Sequence, residues 1–291
     1  MRTTAWAGLC LLLTTTWSLS ASGQYREESA PAQGLGLADA VRSSATGPTA
    51  LYFNPAGMHQ MLHYAIEAGY TYNQAFDSHA ISASIVDSAT NEHIAAGFGY
   101  AYITGSELAD ADSSRSGHLI RGALASGYRF DGGSVHLGVG IRYLSLSIGE
   151  DGSAEAFTMD TGLMIVYQNM IRFGIVGHNL LETDVSETPR RLGTGISLFT
   201  SGLLVGFDVV MDFETLESTE AKYNVGIEYT AAGIVPIRLG YTNDQVFGGR
   251  QLITGGIGYV SRVVAADFSF GVNPTDSDDA IFSFNARFFV P

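Results

Sequence analysis

The sequence predicts an all-β chain, a transmembrane antiparallel β-barrel of about 14 strands with an N-terminal luminal plug (hatch), and three observations predict it. From residue 63 onward, stretches of about ten residues alternate apolar with small or polar side chains and then turn. Tight turns alternate with longer connections along the chain. The polar face carries charges of both signs among many glycines, and a lipid-facing surface would not tolerate those charges.

Composition points the same way. Charged residues make up only 15% of the 291 positions and apolar residues 46%, yet after residue 23 no apolar run approaches the roughly 20 residues of a transmembrane helix. Residues 1–23 read as an export signal: Arg2 is a minimal positive region, Ala5 to Leu13 the apolar core, and Ala21-Ser22-Gly23 the cleavage site, so the mature chain begins at Gln24. Cys10 falls inside the signal without the small residue that lipoprotein processing needs at Leu9. The mature chain therefore has no thiol, which excludes a disulfide scaffold and a cysteine nucleophile. Trp6 and Trp17 leave with the signal too, so an interfacial aromatic belt must be built from Tyr and Phe. The expected organisation is 1–23 signal, 24–62 hatch or plug, and 63–291 barrel. Formal charge is −14 and Lys222 is the only lysine, so no basic patch for nucleic acid exists.

Alternation defines the strands. Leu203, Val205, Phe207, Val209, Met211 and Phe213 share one face, opposite Gly206, Asp208 and Asp212. Tyr223 to Tyr229 and Phe282 to Val290 repeat the pattern. Candidate strands fall near 63–73, 79–86, 93–104, 117–129, 134–147, 156–167, 170–179, 190–200, 203–213, 221–230, 234–242, 250–260, 262–272 and 279–290, an even number. Periodicity alone also fits a soluble sandwich. Loop parity separates the two: tight turns at 131–133, 168–169, 201–202, 231–233 and 261 alternate with longer connections at 103–116, 148–155, 180–189, 214–220, 243–249 and 273–278. That is the pattern of short periplasmic turns and longer external loops, with both termini periplasmic and the protein in a bacterial outer membrane.

By the same alternation Glu67, Asp160, Asp208, Glu228 and Asp267 point inward, as do Arg121, Arg142, Arg172, Arg238 and Arg287. Either these groups pair across an occupied lumen, or they are solvated in an open pore. Inward glycines, among them Gly138, Gly174, Gly226 and Gly240, favour an occupied lumen because they allow close backbone approach. Pro236, also inward, is a candidate break in the strand ladder.

Residues 24–62 break the alternation and would make a weak soluble domain, but fit as an insert inside the barrel. Gly36-Leu37-Ala38-Asp39-Ala40, followed by Thr49-Ala50-Leu51-Tyr52-Phe53-Asn54-Pro55-Ala56-Gly57-Met58, resembles the N-terminal signature of the FadL/OmpP1/TodX outer-membrane superfamily, which includes PorV/PorQ-like barrels. Gly174 to Leu180, Pro189 to Gly195, Gly226 to Tyr229 and Arg238 to Tyr241 resemble later parts of that grouping. The resemblance implies 14 strands and a luminal hatch closed at Asn54, Pro55, Ala56 and Gly57. Independently of it, Asn tolerates unusual backbone angles and Pro removes a donor, so the same residues also read as a tight turn entering the first strand.

Enzyme motifs and cofactor sites are absent. The seven histidines are scattered without metal-ligand spacing, although His136 and His178 point inward, and no nucleophile elbow or phosphate loop occurs. Acidic residues gather in the expected external connections: Glu107, Asp110 and Asp112; Glu182, Asp184 and Glu187; Glu214, Glu217 and Glu220; Asp276, Asp278 and Asp279. They serve loop solubility or bridge to lipopolysaccharide through divalent cations. Two functions stay open. One is passive uptake of a hydrophobic small molecule, a fatty acid or an aromatic compound, through a hatch-gated lumen. The other is a PorV/PorQ-like scaffold with secretion components as partners. The resemblance implies long external loops in fatty-acid transporters of that superfamily, and connections as short as these depart from it, which counts against long-chain fatty acids.

Overall fold

The computed structural model describes residues 29–106, 114–149, 152–216 and 218–290. The expected signal, with Cys10, Trp6 and Trp17, and the acidic Glu107, Asp110, Asp112 and Glu217 lie outside the described residues. The strands are β1 Tyr64–Asn73, β2 Ser78–Asp87, β3 Ile94–Ser106, β4 Ser114–Phe130, β5 Gly133–Ile148, β6 Gly152–Tyr167, β7 Ile171–His178, β8 Arg191–Thr200, β9 Leu203–Asp212, β10 Glu220–Ala231, β11 Val235–Asp244, β12 Arg250–Val260, β13 Val264–Asn273 and β14 Asp276–Val290. Each pairs antiparallel with the next, and β1 also pairs with β14, from Tyr64 opposite Val290 to Asn73 opposite Ile281. Closure leaves no strand edge unpaired, as a transmembrane β-barrel requires.

The period-two alternation becomes two surfaces. In β9 Phe207 is 43% exposed on the outside while Asp208 is fully buried inside, and in β11 the outward Leu239 is 65% exposed beside the buried Arg238. Outward-facing Phe, Ile, Leu and Tyr continue round the wall. In water such a surface would lose about 25 cal/mol for every Å² left exposed, and a bilayer removes that cost.

Six connections at one end are short, at 88–93, 131–132, 168–170, 201–202, 232–234 and 261–263, and residues 64 and 290 lie at that same end. Ser201 and Gly202 have φ of 47° and 83°, the two positive values that a type I′ hairpin turn needs to match strand twist. At the opposite end the structure shortens three connections that the sequence suggests are long: 103–116 becomes 107–113, 148–155 becomes 149–151, and 273–278 becomes 274–275. The reason is that backbone pairing continues past the apolar band. Asn273 still pairs with Asp276, where both faces are polar and alternation gives no signal. Ile148 still pairs with Gly152, where Leu144, Leu146 and Ile148 go on alternating with serines to the end of β5. Pro236 is buried on the inner face opposite Thr230 of β10. Towards β12 the register begins only at Ile237 opposite Ile257, one residue past the proline that has no N–H to give.

Residues 29–60 lie inside the barrel as α1 (Ala32–Gly36), α2 (Gly47–Phe53) and a 3-10 helix (Pro55–Gln60). Leu37, Val41, Leu51, Phe53 and Met58 form an apolar cluster with the inward Val86, Ala95, Ala125 and Leu204.

Candidate functional site

Glycine determines where the segment runs. On the inner wall Gly138 pairs with Gly162, Gly174 with Gly195, and Gly226 with both Gly206 and Gly240. A side chain on any of them would strike the segment or what it leans on: Ala56 at Gly138, Asn54 at Gly162, Arg42 at Gly174, Ala40 at Gly206, and Leu37 at Gly226. The inward glycines are thus a track along which the main chain of residues 37–56 presses against the wall.

The Asn54-Pro55-Ala56-Gly57 string sits on the Gly138–Gly162 pair. The Asn54 side chain accepts a hydrogen bond from the Ala56 N–H at 3.2 Å, capping the 3-10 helix that Pro55 starts. Its amide donates to the Arg42 carbonyl at 2.9 Å and to the Leu163 carbonyl of β6 at 3.2 Å. One fully buried side chain therefore ties the turn to itself, to the segment upstream and to the barrel. A few residues on, His59 and His136 of β5 face each other, Nδ1 to Nδ1 at 3.3 Å, with His59 Nε2 3.0 Å from the Glu92 carbonyl and His136 Nε2 2.8 Å from the Ser134 hydroxyl. A carbonyl only accepts, so His59 donates from Nε2 and the Nδ1 donor is His136.

The ten inward charges separate into groups instead of one network. Arg287 donates to Glu67 from the neighbouring strand at 2.8 Å, and Arg238 bridges Glu228 and Asp267, each at 2.6 Å. Asp160 lies 3.8 Å from Arg121 and 3.3 Å from His178. Asp208 takes its partner from inside the lumen: it accepts from the Arg42 N–H at 2.9 Å and stands 3.3 Å from the guanidinium. Arg142 donates to Asn179 at 3.4 Å. Arg172 has no carboxylate within ion-pair distance among the described residues, and its guanidinium lies 5.6 Å from the Phe199 ring.

Above and below the segment the lumen differs. At the end with the longer connections lies a small cavity of about 60 Å³, walled by the Arg191–Asp212 pair at 2.7 Å and by Lys222, which reaches Asp39 at 3.4 Å and Asp244 at 4.0 Å. Beside it Leu119, Leu144, Leu146 and Ala156 form an apolar cluster packed against Val185 of the 179–190 connection. At the short-turn end a cavity of about 880 Å³ opens below Gln33, Pro48 and Gln60, edged by Phe130, Phe199 and Phe289. The acidic residues expected outside divide as well. Asp279 turns inward and is buried against Arg250, because it falls on the inward parity of a strand that starts earlier than the alternation shows. Glu214 pairs with Arg190.

The sequence reading gave no luminal role to Arg42, Arg129, Arg191, Lys222 or His59. Arg129 shares the parity of Arg121 and was legible, whereas Arg42 and His59 lie in a segment without periodicity. No group of three metal-ligating side chains occurs among the described residues.

A closed 14-stranded barrel with its N-terminal segment in the lumen defines a class of membrane protein. Among solved structures the chain is similar to the CymD monoaromatic hydrocarbon channel (TM-score 0.61, 14% identity, 91% of this chain and 98% of that one). It is also similar to the Ralstonia pickettii toluene transporter TbuX (TM-score 0.61, 15% identity, 90% and 97%) and to a Pseudomonas aeruginosa FadL homologue (TM-score 0.62, 13% identity, 89% and 98%). At these identities the likeness is one of fold, the FadL-type barrel. No family model and no curated protein matches the chain.

Proposed function

We propose that the protein is a bacterial outer-membrane channel for passive uptake of a hydrophobic small molecule, a fatty acid or an aromatic compound, gated by its luminal segment. The observation that carries this reading is the division of the lumen: a tightly fitted segment across the middle, with a cavity of about 880 Å³ on one side of it. That volume lies in the range of small-molecule sites, about 300–1,000 Å³. The FadL-type fold supports it, since barrels of this fold include channels for monoaromatic hydrocarbons and toluene. The apolar cluster under the 179–190 connection supplies a surface for a hydrophobic ligand at the other mouth. The short turns and both chain ends face the periplasm, and Glu182, Asp184 and Glu187 face outward, where divalent cations can bridge them to lipopolysaccharide. Asn54 to Gly57 form the gate, because their withdrawal from the Gly138–Gly162 groove opens the path between the two ends.

The test is flux of labelled toluene and of a medium-chain fatty acid into proteoliposomes, alongside growth of a deletion strain on the same compounds. Protein-dependent flux of either is expected. No flux of both, with repeated co-purification of secretion components, would replace uptake by a scaffold role.

A further inference from the structure

Two imidazoles and a thioether meet where the end of the luminal segment lies against β5 and β6. His59 of the 3-10 helix and His136 of β5 are both buried, and their Nδ1 atoms face each other at 3.3 Å. The register puts the fully buried Met164 of β6 directly opposite His136, and the amide of Gln60, next in the chain to His59, touches the Met164 sulfur. On the other side of His136 stands Gly127 of β4, where a side chain would strike the Nδ1 atoms of both rings. Glycine therefore keeps open a space that both nitrogens border. The outer nitrogens are held as well. His59 Nε2 donates to the Glu92 carbonyl at 3.0 Å, and His136 Nε2 lies 2.8 Å from the Ser134 hydroxyl, which serves as donor or acceptor. When His136 moves its proton from Nδ1 to Nε2, that hydroxyl accepts it and both Nδ1 lone pairs are bare. Metal-bound histidines are oriented in this way, each outer N–H given to a carbonyl or another oxygen. His136, Gln60 and Ser134 line the large cavity, so an ion reaches the rings from the short-turn mouth.

We infer that His59, His136 and Met164 form a site for monovalent copper, Cu(I), that staples the luminal segment to the barrel wall. With metal–nitrogen bonds of about 2.0–2.1 Å, nitrogens 3.3 Å apart subtend roughly 104–111° at the ion, close to the tetrahedral angle. Thioether and imidazole together select Cu(I) among the first-row ions. Charge points the same way. No Asp or Glu completes a three-ligand group with the two rings among the described residues, and Arg129 lines the same cavity. A neutral donor set near a guanidinium holds one positive charge at less cost than the two of Zn(II). Binding shifts only the tautomer of His136, so no proton leaves the neutral pair and nothing is oxidised or reduced. One ligand comes from the segment and two come from the wall, so the bound ion fixes the segment in place. The site goes beyond the uptake reading, since it concerns what holds the segment and not what crosses the lumen.

The experiment is titration of Cu(I), kept reduced by ascorbate and buffered by a coloured cuprous chelator, into the untagged full chain in amphipol. Cys10→Ser is the background, so that no thiol competes. One equivalent is expected to bind and to raise the urea midpoint of the barrel. His59→Gln and His136→Gln should each abolish both effects, while Ser134→Ala, which touches only the outer nitrogen, should weaken binding about tenfold. Met164→Leu should weaken Cu(I) more than Zn(II). His79→Gln and His118→Gln, on the outer surface, should change nothing. Binding that survives the loss of His136, or that falls equally in His118→Gln, overturns the site. Zn(II) held as tightly as Cu(I) by the background chain overturns the copper assignment. X-ray absorption of the copper-loaded background chain reads the ligands without any further variant: two imidazole nitrogens and one sulfur are expected, and a shell without sulfur overturns the set. Flux enters none of these readings, so a failed copper site leaves uptake standing, and a barrel that passes no hydrophobic molecule leaves the copper site standing.

Discussion

The two halves of the lumen are built from one wall and yet one is full and the other hollow. In the filled half the inward positions are glycine pairs, and the N-terminal main chain presses into them at Gly138, Gly162, Gly206 and Gly226. In the hollow half strands β4, β7, β11 and β14 present Arg129, Arg172, Arg238 and Arg287, and a cavity of about 880 Å³ lies between them. The lesson is that side-chain size on one parity decides occupancy. Glycine admits a backbone, while arginine holds space open for something smaller and mobile.

The strongest way to break this contrast is to empty the filled half. Deleting residues 29–60 leaves a barrel wide enough for water throughout, so sustained ion current in planar bilayers is expected where the full chain gives a closed baseline. A deletion that folds, as judged by heat-modifiable migration in gels, yet conducts no better would mean the external connections close the lumen unaided.

Next in size is the more deeply buried of the two charge pairs that join segment to wall among the described residues, Arg42 with Asp208 and Asp39 with Lys222. Asp208→Asn leaves the buried Arg42 guanidinium beside a neutral amide, and breaking a buried pair costs about 3–5 kcal/mol. A clear fall in the urea midpoint is expected, together with flickering current. Asp267→Asn, in the hollow half, should cost less, because Arg238 keeps Glu228. Equal effects of the two would erase the distinction between the halves.

This comparison also shows how far the sequence could be read. Alternation exposes any residue whose neighbours across the wall are apolar, so Glu67, Asp160, Asp208, Arg238 and the inward glycines were legible, as were the strand bounds inside the apolar band. Two things were not. Partners are set by register and by an aperiodic segment: Asp208 meets Arg42, 166 residues away, which no period reports. Strand ends beyond the band, such as Asp276 to Asp279 in β14, are polar on both faces, and the pattern falls silent there. The Asn54 string could be recognised as a motif, but its partner, the Leu163 carbonyl of β6, is a main-chain atom that leaves no trace in side-chain pattern.

A smaller effect sharpens the role of the track itself. Gly162→Val places side-chain atoms where Asn54 Oδ1 lies, and overpacking of this kind costs about 1–3 kcal/mol. Asn54→Asp keeps the cap on Ala56 but loses both amide donations, so it should destabilise nearly as much as Asn54→Ala, by about 1–3 kcal/mol through the unsatisfied carbonyls. Unfolding midpoints of the three variants decide the matter. If Asn54→Asp matched wild type, the bonds to Arg42 and Leu163 would carry no weight and the cap alone would hold the turn.

The smallest expected change lies outside both halves. Arg190 and Glu214 pair on the external rim, where the Arg190 side chain is 44% exposed. Arg190→Gln removes the guanidinium but not the main-chain N–H that Glu214 also accepts at 2.8 Å, so the connection keeps its fold. Solvent screening limits an exposed pair to about 0–1 kcal/mol, and that small difference should vanish at high salt. Midpoints of wild type and Arg190→Gln that differ by as much as those of wild type and Asp208→Asn would show that rim charges, and not the fitted segment, hold the lumen shut. An indifferent Arg190→Gln beside a crippled Asp208→Asn places the closure where the glycines are.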